Sequence, residues 1–431
     1  MEQLLHYVWK HKITPPRELT TTDGRTVEII DSGLHNRNAG PDFFNAKVKI
    51  DGQLWVGNVE IHQHSKDWYL HGHDTDSAYD NVILHVVETA DAIVSNSRGE
   101  ILPQLELSVP QHIADNYAAL MAADNYPPCY KIIPQLSKLT IHSWMSALQT
   151  ERLEQKTDAI RLRAERLAGS WEDALFITLA RNYGFGINGD AFEQWALNLH
   201  LNCVAHHRDD LFQIEAMFMG QAGLLDIASI PPHHQQAALA DPYYTKLAAE
   251  YRYLAHKFSL TPMDCKLWKF LRLRPQNFPH IRISQLANLY YERRLSLSTL
   301  VNCSTVAELS SLLGTHVTPY WATHYAFGVE SAHNGKSMSP FSINLLLVNT
   351  AIPMLFAYGR HIANEQLCLR AFDLLEQLKP ENNHVVRMWR ECGLEVDNAG
   401  DTQALLQLKK MYCDRHDCLR CRIGYEYLKK S

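Results

Sequence analysis

The chain has 431 residues, of which 46% are hydrophobic and 20% charged, and its formal net charge is −6. That length exceeds one ordinary core and predicts two or three domains. The composition excludes a disordered or collagen-like chain, and the charge excludes a chain that is basic throughout while leaving local basic grooves open.

The nine cysteines, an odd number scattered except for one terminal group, are not a disulfide framework and fit a reducing cytoplasm. The N-terminal segment lacks the basic, apolar and small-residue succession of a signal peptide. Leu4, Leu5, Val8 and Trp9 fall at helical spacing, so Glu2 to Lys10 reads as a short amphipathic helix stopped by Pro15-Pro16. Val27 to Ile30, after Asp23-Gly24, and Phe43 to Ile50 read as strands. Asp51-Gly52 turns the second back into Leu54 to Ile61, as Asp-Gly between alternating runs does in hairpins. Val82 to Val87 and Leu102 to Val109 are two further strands. Together these make an α/β domain over residues 1–115, and Tyr126-Pro127-Pro128-Cys129 marks a linker over 116–136.

From Leu139 the period is helical, through Trp144 to Leu167, Trp171 to Tyr183, Asp190 to Leu199, Asp210 to Leu225 and Gln235 to His256. Residues 137–431 therefore read as a large all-α region of one or two subdomains. The expected fold class is α+β, an N-terminal mixed-sheet domain followed by helices and a C-terminal cysteine cluster. Ser337 to Gly359 is uncharged and long enough to cross a membrane, but Asn344, Asn349, Thr350 and Pro353 interrupt it. A buried helix, or a helix pair broken near Pro353, is the expectation, with no membrane partner.

Acids and imidazoles are densest between Asp42 and His85. Residues two apart share a strand face, so Asn58, Glu60, His62 and His64 project to one side and Val59 and Ile61 to the other. Carboxylates from Asp42 and Glu60 suit a hard Mg²⁺ or Mn²⁺ ion that keeps positions for water and a phosphate. His62 would orient or deprotonate that water, or ligate a softer metal, with His64 beside it. A two-residue turn at Asp51-Gly52 sets Phe43 opposite Glu60 and turns Asp42 to the Ile61 face. A shared ion therefore requires a three-residue loop, or a bend or bulge near Asp42. Asp67, His71, His73 and His85 are accessory candidates, although Asp67 also suits turn capping and His85 a core position.

Lys47 and Lys49 on the hairpin, with Arg272, Arg274 and Arg282 interleaved with Trp268 and Phe278, are candidate cations for a nucleic-acid backbone. At the other end of the chain, Cys413, Cys418 and Cys421 follow a C-x4-C-x2-C spacing. With Cys392 or His416 as fourth donor they point to Zn²⁺ or an iron–sulfur cluster held as a structural clasp.

Pro41-Asp42, followed across a hairpin by Glu60-Ile61-His62, resembles the PD-(D/E)XK motif of restriction-endonuclease-like nucleases. The resemblance implies that Asp42 and Glu60 bind metal, that Ile61 lends its carbonyl, and that Glu28 on the earlier strand is an extra acid. It departs from the family at His62, where the water-assisting lysine usually stands. Some nucleases of that superfamily carry three C-terminal cysteines and a distant fourth as an iron–sulfur staple, which the terminal cysteines resemble. His62-x-His64 after Gly57 is also similar to the His-x-His of cupin barrels, although the second cupin motif is not found around His85. End to end, the chain resembles a bacterial family known as domain of unknown function 2851. The match lies in Asn38-Ala39-Gly40-Pro41-Asp42-Phe43, Gly57-Asn58-Val59-Glu60-Ile61-His62, Asp67-Trp68, Tyr79 to Val87, Gly220 to Leu225 and Cys418-Leu419-Arg420-Cys421; it implies no activity. The expected function is a metal-dependent nuclease. The alternatives are a non-enzymatic nucleic-acid-binding or scaffold protein with structural metals and, third, a cupin-like metal site.

Overall fold

The computed structural model describes residues 2–13, 18–36, 38–123 and 126–430, so Pro15-Pro16, the expected stop of the first helix, lies outside the described residues. The chain packs as two compact units. The first takes Met1–Ile141 with Cys392–Leu394 and Leu408–Ser431, and the second takes His142–Glu391 with Glu395–Gln407. The expected linker region carries a helix as far as Ala122, and it belongs to the first unit together with the C-terminal cysteines.

Helix α1 (Glu2–Lys10) buries Leu4, Leu5, Val8 and Trp9, the residues its spacing put on one face. A seven-stranded mixed sheet follows. Its members are β1 (Leu19–Thr20), β2 (Thr26–Asp31), β3 (Leu34–His35), β4 (Phe43–Ile50), β5 (Gln53–His64), β6 (Val82–Thr89) and β7 (Gln104–Glu106). The order is β1-β2-β4-β5-β6-β7, with β3 beside β4. β4 and β5 are antiparallel, whereas β6 and β7 run parallel to β5. The parallel step needs a crossover, and the stretch 65–81 supplies it with α2 (Asp67–Leu70) and a turn at Ser77–Tyr79. β1 and β3, of two residues each, are too short to carry a period. The two ends of the sheet meet, since Thr21 bridges Leu105 and Thr22 N donates to Gln104 O at 2.9 Å.

The hairpin turn is the two-residue one, with Ile50 opposite Gln53 and both Asp51 (φ 48°) and Gly52 (φ 78°) left-handed, the backbone of a type I′ turn. From that turn Ala46 pairs with Gly57, yet Phe43 pairs with Val59. Three residues on β4 thus span two on β5, which is a bulge, and Asn45 takes the left-handed value of 54° within it. The bulge keeps Phe43 on the same buried face as Ala46, Val48 and Ile50. It also turns Asp42 to the Glu60 face. Gly33 (φ 87°) makes room for it, because a Cβ there would lie 2.6 Å from Phe44 O and 3.0 Å from Ala46 N.

The second unit is helical except for a two-stranded hairpin of His324–Ala326 and Val329–Glu330. The stretch read as one helix over 235–256 is two, Pro232–Ala240 and Pro242–Phe258. Asp241 caps the second through Tyr243 N, and Pro242 fits a first helical turn but not an interior. The apolar stretch forms one helical run, Pro340–His361, mostly buried in the core of this unit. It is not broken near Pro353, because a π-helical segment, Leu347–Ala351, precedes that proline. Proline cannot donate to the preceding turn. Carbonyls there bond elsewhere: Val348 O accepts from Lys156 Nζ at 3.0 Å and Asn349 O from Asn182 Nδ2 at 2.9 Å.

Candidate metal centre

Glu60 lies on the central strand β5, where both faces are covered, and is 5% exposed. A carboxylate in such a place needs partners. Its Oε2 accepts from Asp42 N at 3.0 Å, a contact that exists because the bulge sets Asp42 beside Glu60. Asp42 returns the pairing, with Oδ2 accepting from Ile61 N at 2.9 Å. His6 of α1 stands behind, its Nε2 3.4 Å from the same oxygen. Burial first and the Glu60 carboxylate second push the Asp42 carboxyl up to about 7.

Glu60 Oε1 faces the other way. It is 3.6 Å from His62 Nε2 and 3.3 Å from His73 Nε2. His62 Nε2 is in turn 3.0 Å from His71 Nδ1, and one ring nitrogen from each of His62, His71 and His73 lies within 4.8 Å of the others. Donors bonded at about 2.1 Å to a tetrahedral ion stand about 3.4 Å apart. The three measured edges bracket that value. The three imidazole nitrogens are therefore close enough to share one ion, with Glu60 Oε1 beside those of His62 and His73.

The surroundings fix the ring orientations. His85, directly opposite Glu60 on β6, is fully buried, and its Nε2 is 2.9 Å from His62 Nδ1. That bond directs His62 Nε2 at the centre, as a second-shell partner directs a metal-bound imidazole. His73 stacks on Tyr79 with ring centroids 3.8 Å apart, and buried Trp68 of α2 lies edge-on to His73 and tilted against His85. Burial first, then His71 and His73, pulls the His62 imidazole down to about 3; burial, His62 and His73 do the same to His85. Neutral imidazoles are the form that binds metal. His71 is exposed, so the centre opens to solvent on its side.

The remaining sequence candidates lie elsewhere. His64 projects to the Glu60 side of β5 but is exposed, its Nδ1 3.4 Å from Asp91 Oδ2 and its N–H donating to Asp67 Oδ2 at 3.0 Å. Asp67 thus orders a turn. Ile61 is buried and holds Asp42 through its amide. Lys47, Lys49 and Glu28 share the Glu60 face by register, toward the hairpin, and Lys49 pairs with Glu28 at 3.1 Å. Arg272 and Arg274 are exposed in the second unit, whereas Arg282 is 5% exposed inside it.

Among the terminal cysteines, Cys413, Cys418 and Cys421 lie close enough to act on one another's charge, and Cys129 lies with them. Burial pushes the Cys129 thiol up, and Cys421, Cys413 and Cys418 push it further. Three residues earlier, Tyr126 OH donates to Asp414 Oδ1 at 3.0 Å, which ties this loop to the residue after Cys413. Cys392 belongs to the same unit, and His416 is exposed. Sequence reasoning did not place Cys129 with these cysteines. Its only signal was a cysteine directly after Pro127-Pro128. It also missed His6, whose approach depends on how α1 packs.

No curated protein and no solved structure matches this chain. One protein family does, over residues 2–384, a span that includes α1, the whole sheet, Glu60, His62, His71 and His73. The chain accordingly belongs to the family described as "Protein of unknown function (DUF2851)".

Proposed function

We propose that this protein is a metal-dependent hydrolase of phosphodiesters, a nuclease, whose ion is held by Glu60, His62, His71 and His73. The observation that carries the reading is the convergence of the His62, His71 and His73 ring nitrogens within 4.8 Å of one another, with Glu60 Oε1 within 3.6 Å of two of them. Three imidazoles and one carboxylate favour Zn²⁺, Mn²⁺ or Fe²⁺ over Mg²⁺, which prefers oxygen donors and octahedral geometry. Four protein ligands fill a tetrahedral shell, so water activation here requires an ion that accepts a fifth ligand; such an ion would lower the pKa of that bound water and supply a hydroxide near neutral pH. Asp42 is a positioning residue: its amide holds Glu60 Oε2, leaving Oε1 for the ion. His85 positions His62. The phosphodiester assignment draws on Lys47 on the same sheet face and on the order of Asp42, hairpin and Glu60 along the chain.

Cys129, Cys413, Cys418 and Cys421 are the proposed ligands of a second, structural Zn²⁺ or iron–sulfur centre. Clustered buried thiols that raise one another's pKa are relieved when a metal binds them as thiolates.

Purified protein assayed on linear, circular and single-stranded DNA and on RNA, with Mn²⁺, Zn²⁺ or Mg²⁺ added, tests the first reading. Cleavage that disappears in Glu60→Ala and His73→Ala supports it. Cleavage that persists in Glu60→Ala at the wild-type rate contradicts it.

A further inference from the structure

The second unit contains a cavity of about 540 Å³ whose wall includes Arg274, Arg282 and Lys336 and, among the described residues, no aspartate or glutamate. Arg282 is 5% exposed, and its guanidinium meets only neutral groups. Nη1 donates to Gln285 Oε1 at 2.8 Å and lies 3.2 Å from Met338 Sδ, while Nη2 donates to Asn277 Oδ1 at 2.6 Å. The group lies 4.5 Å over the Phe185 ring, and its buried Nε has no partner. Lys336 is also 5% exposed. Its ammonium donates to the carbonyls of Trp321 and His324 and lies 4.1 Å from the Tyr325 ring centroid. Arg274, at the rim, makes no side-chain ion pair among the described residues.

Buried cations are ordinarily matched by an acid, because neutral acceptors do not replace the lost hydration. Two such cations here share one cavity and a third stands at its mouth, so the missing counter-charge belongs to something that enters. Arginine's planar fork and a lysine point charge suit the oxygens of a phosphate. Phe185, Tyr325 and Phe341 add aromatic surface to the wall, and the volume lies within the range of small-molecule sites. We propose that this cavity binds a small phosphate monoester of nucleotide size, its phosphate taken by Arg274, Arg282 and Lys336. The inference is independent of the metal centre.

Isothermal titration of the full-length protein, with no divalent metal added, tests it with AMP, inorganic phosphate, adenosine and a 5′-phosphorylated oligonucleotide. AMP is expected to bind saturably and inorganic phosphate to compete with it, whereas adenosine binds at least about tenfold more weakly, the loss of one charge-assisted contact. Arg274→Gln, an exposed change, is expected to weaken AMP by about the same factor. Lys336→Gln is expected to weaken it at least as much with an unaltered circular dichroism spectrum. Equal binding of AMP and adenosine, no binding of either, binding of the oligonucleotide alone, or an Arg274→Gln protein with wild-type affinity would each overturn the proposal.

Discussion

Glu60 is held by one oxygen and offers the other, and that division sets what each neighbouring substitution does. Glu60→Gln keeps an oxygen for the Asp42 amide but loses the anionic donor. Metal-dependent cleavage is expected to fall on the order of 100-fold or more, the scale of losing one charge-stabilising contact, with little change in melting temperature. His85→Phe fills the same buried space between Trp68 and His62 and removes only the ring contact to His62 Nδ1. Metal affinity, measured by competition with a chelator, is expected to drop about 10- to 100-fold, as for other second-shell partners. His64→Ala, which alters an exposed ring paired with Asp91, is expected to leave that affinity unchanged. An effect of His64→Ala equal to that of His85→Phe would place the donors on the wrong residues. At this scale the face carrying Glu60 and His62 was legible, because strand period is strict. His71 and His73 were legible only as nearby imidazoles, since nothing local dictates where α2 and its turn bring them. His64 has the right parity but stands two residues further along, where β5 emerges from cover.

Among the elements, β4 decides the site. A two-residue turn and a shared Asp42–Glu60 environment are incompatible in a regular hairpin, and the sequence made that conflict visible before any fold was known. It did not show where the extra residue sits. The answer lies at Asn45, opposite Asn58 and against Gly33, a contact between β4 and the residue preceding β3 that no local pattern encodes. Gly33→Val places a Cβ against Phe44 O at a left-handed φ. It is expected to cost on the order of 1–3 kcal/mol of stability in denaturant unfolding and to lower metal affinity together with it. Unchanged stability would mean that the bulge does not depend on Gly33. The Pro340–His361 run makes the same point: the sequence left open a buried helix or a pair broken near Pro353, and the run is one buried helix because a π-helical segment with Lys156 and Asn182 as outside donors accommodates the proline.

For the whole molecule, the order of helix, mixed sheet and large helical region was legible because long periodic segments declare their type. The assignment of the C-terminal segment to the first unit was not, because it rests on contacts between distant parts of the chain. Asn116 Nδ2 donates to Lys430 O at 2.7 Å, and Cys129 lies with Cys413, Cys418 and Cys421. A metal held by these thiolates is accordingly expected to be lost in Cys129→Ser, with a lower melting temperature; elemental analysis that finds full metal content in Cys129→Ser removes Cys129 from the set. The histidine centre has a more direct test, anomalous diffraction from a crystal soaked in Zn²⁺ or Mn²⁺. One peak is expected, bonded to Glu60 Oε1, His62 Nε2, His71 Nδ1 and His73 Nε2 at about 2.0–2.2 Å. A peak that leaves out the three imidazoles, or a soaked crystal with no peak between them, would contradict that assignment.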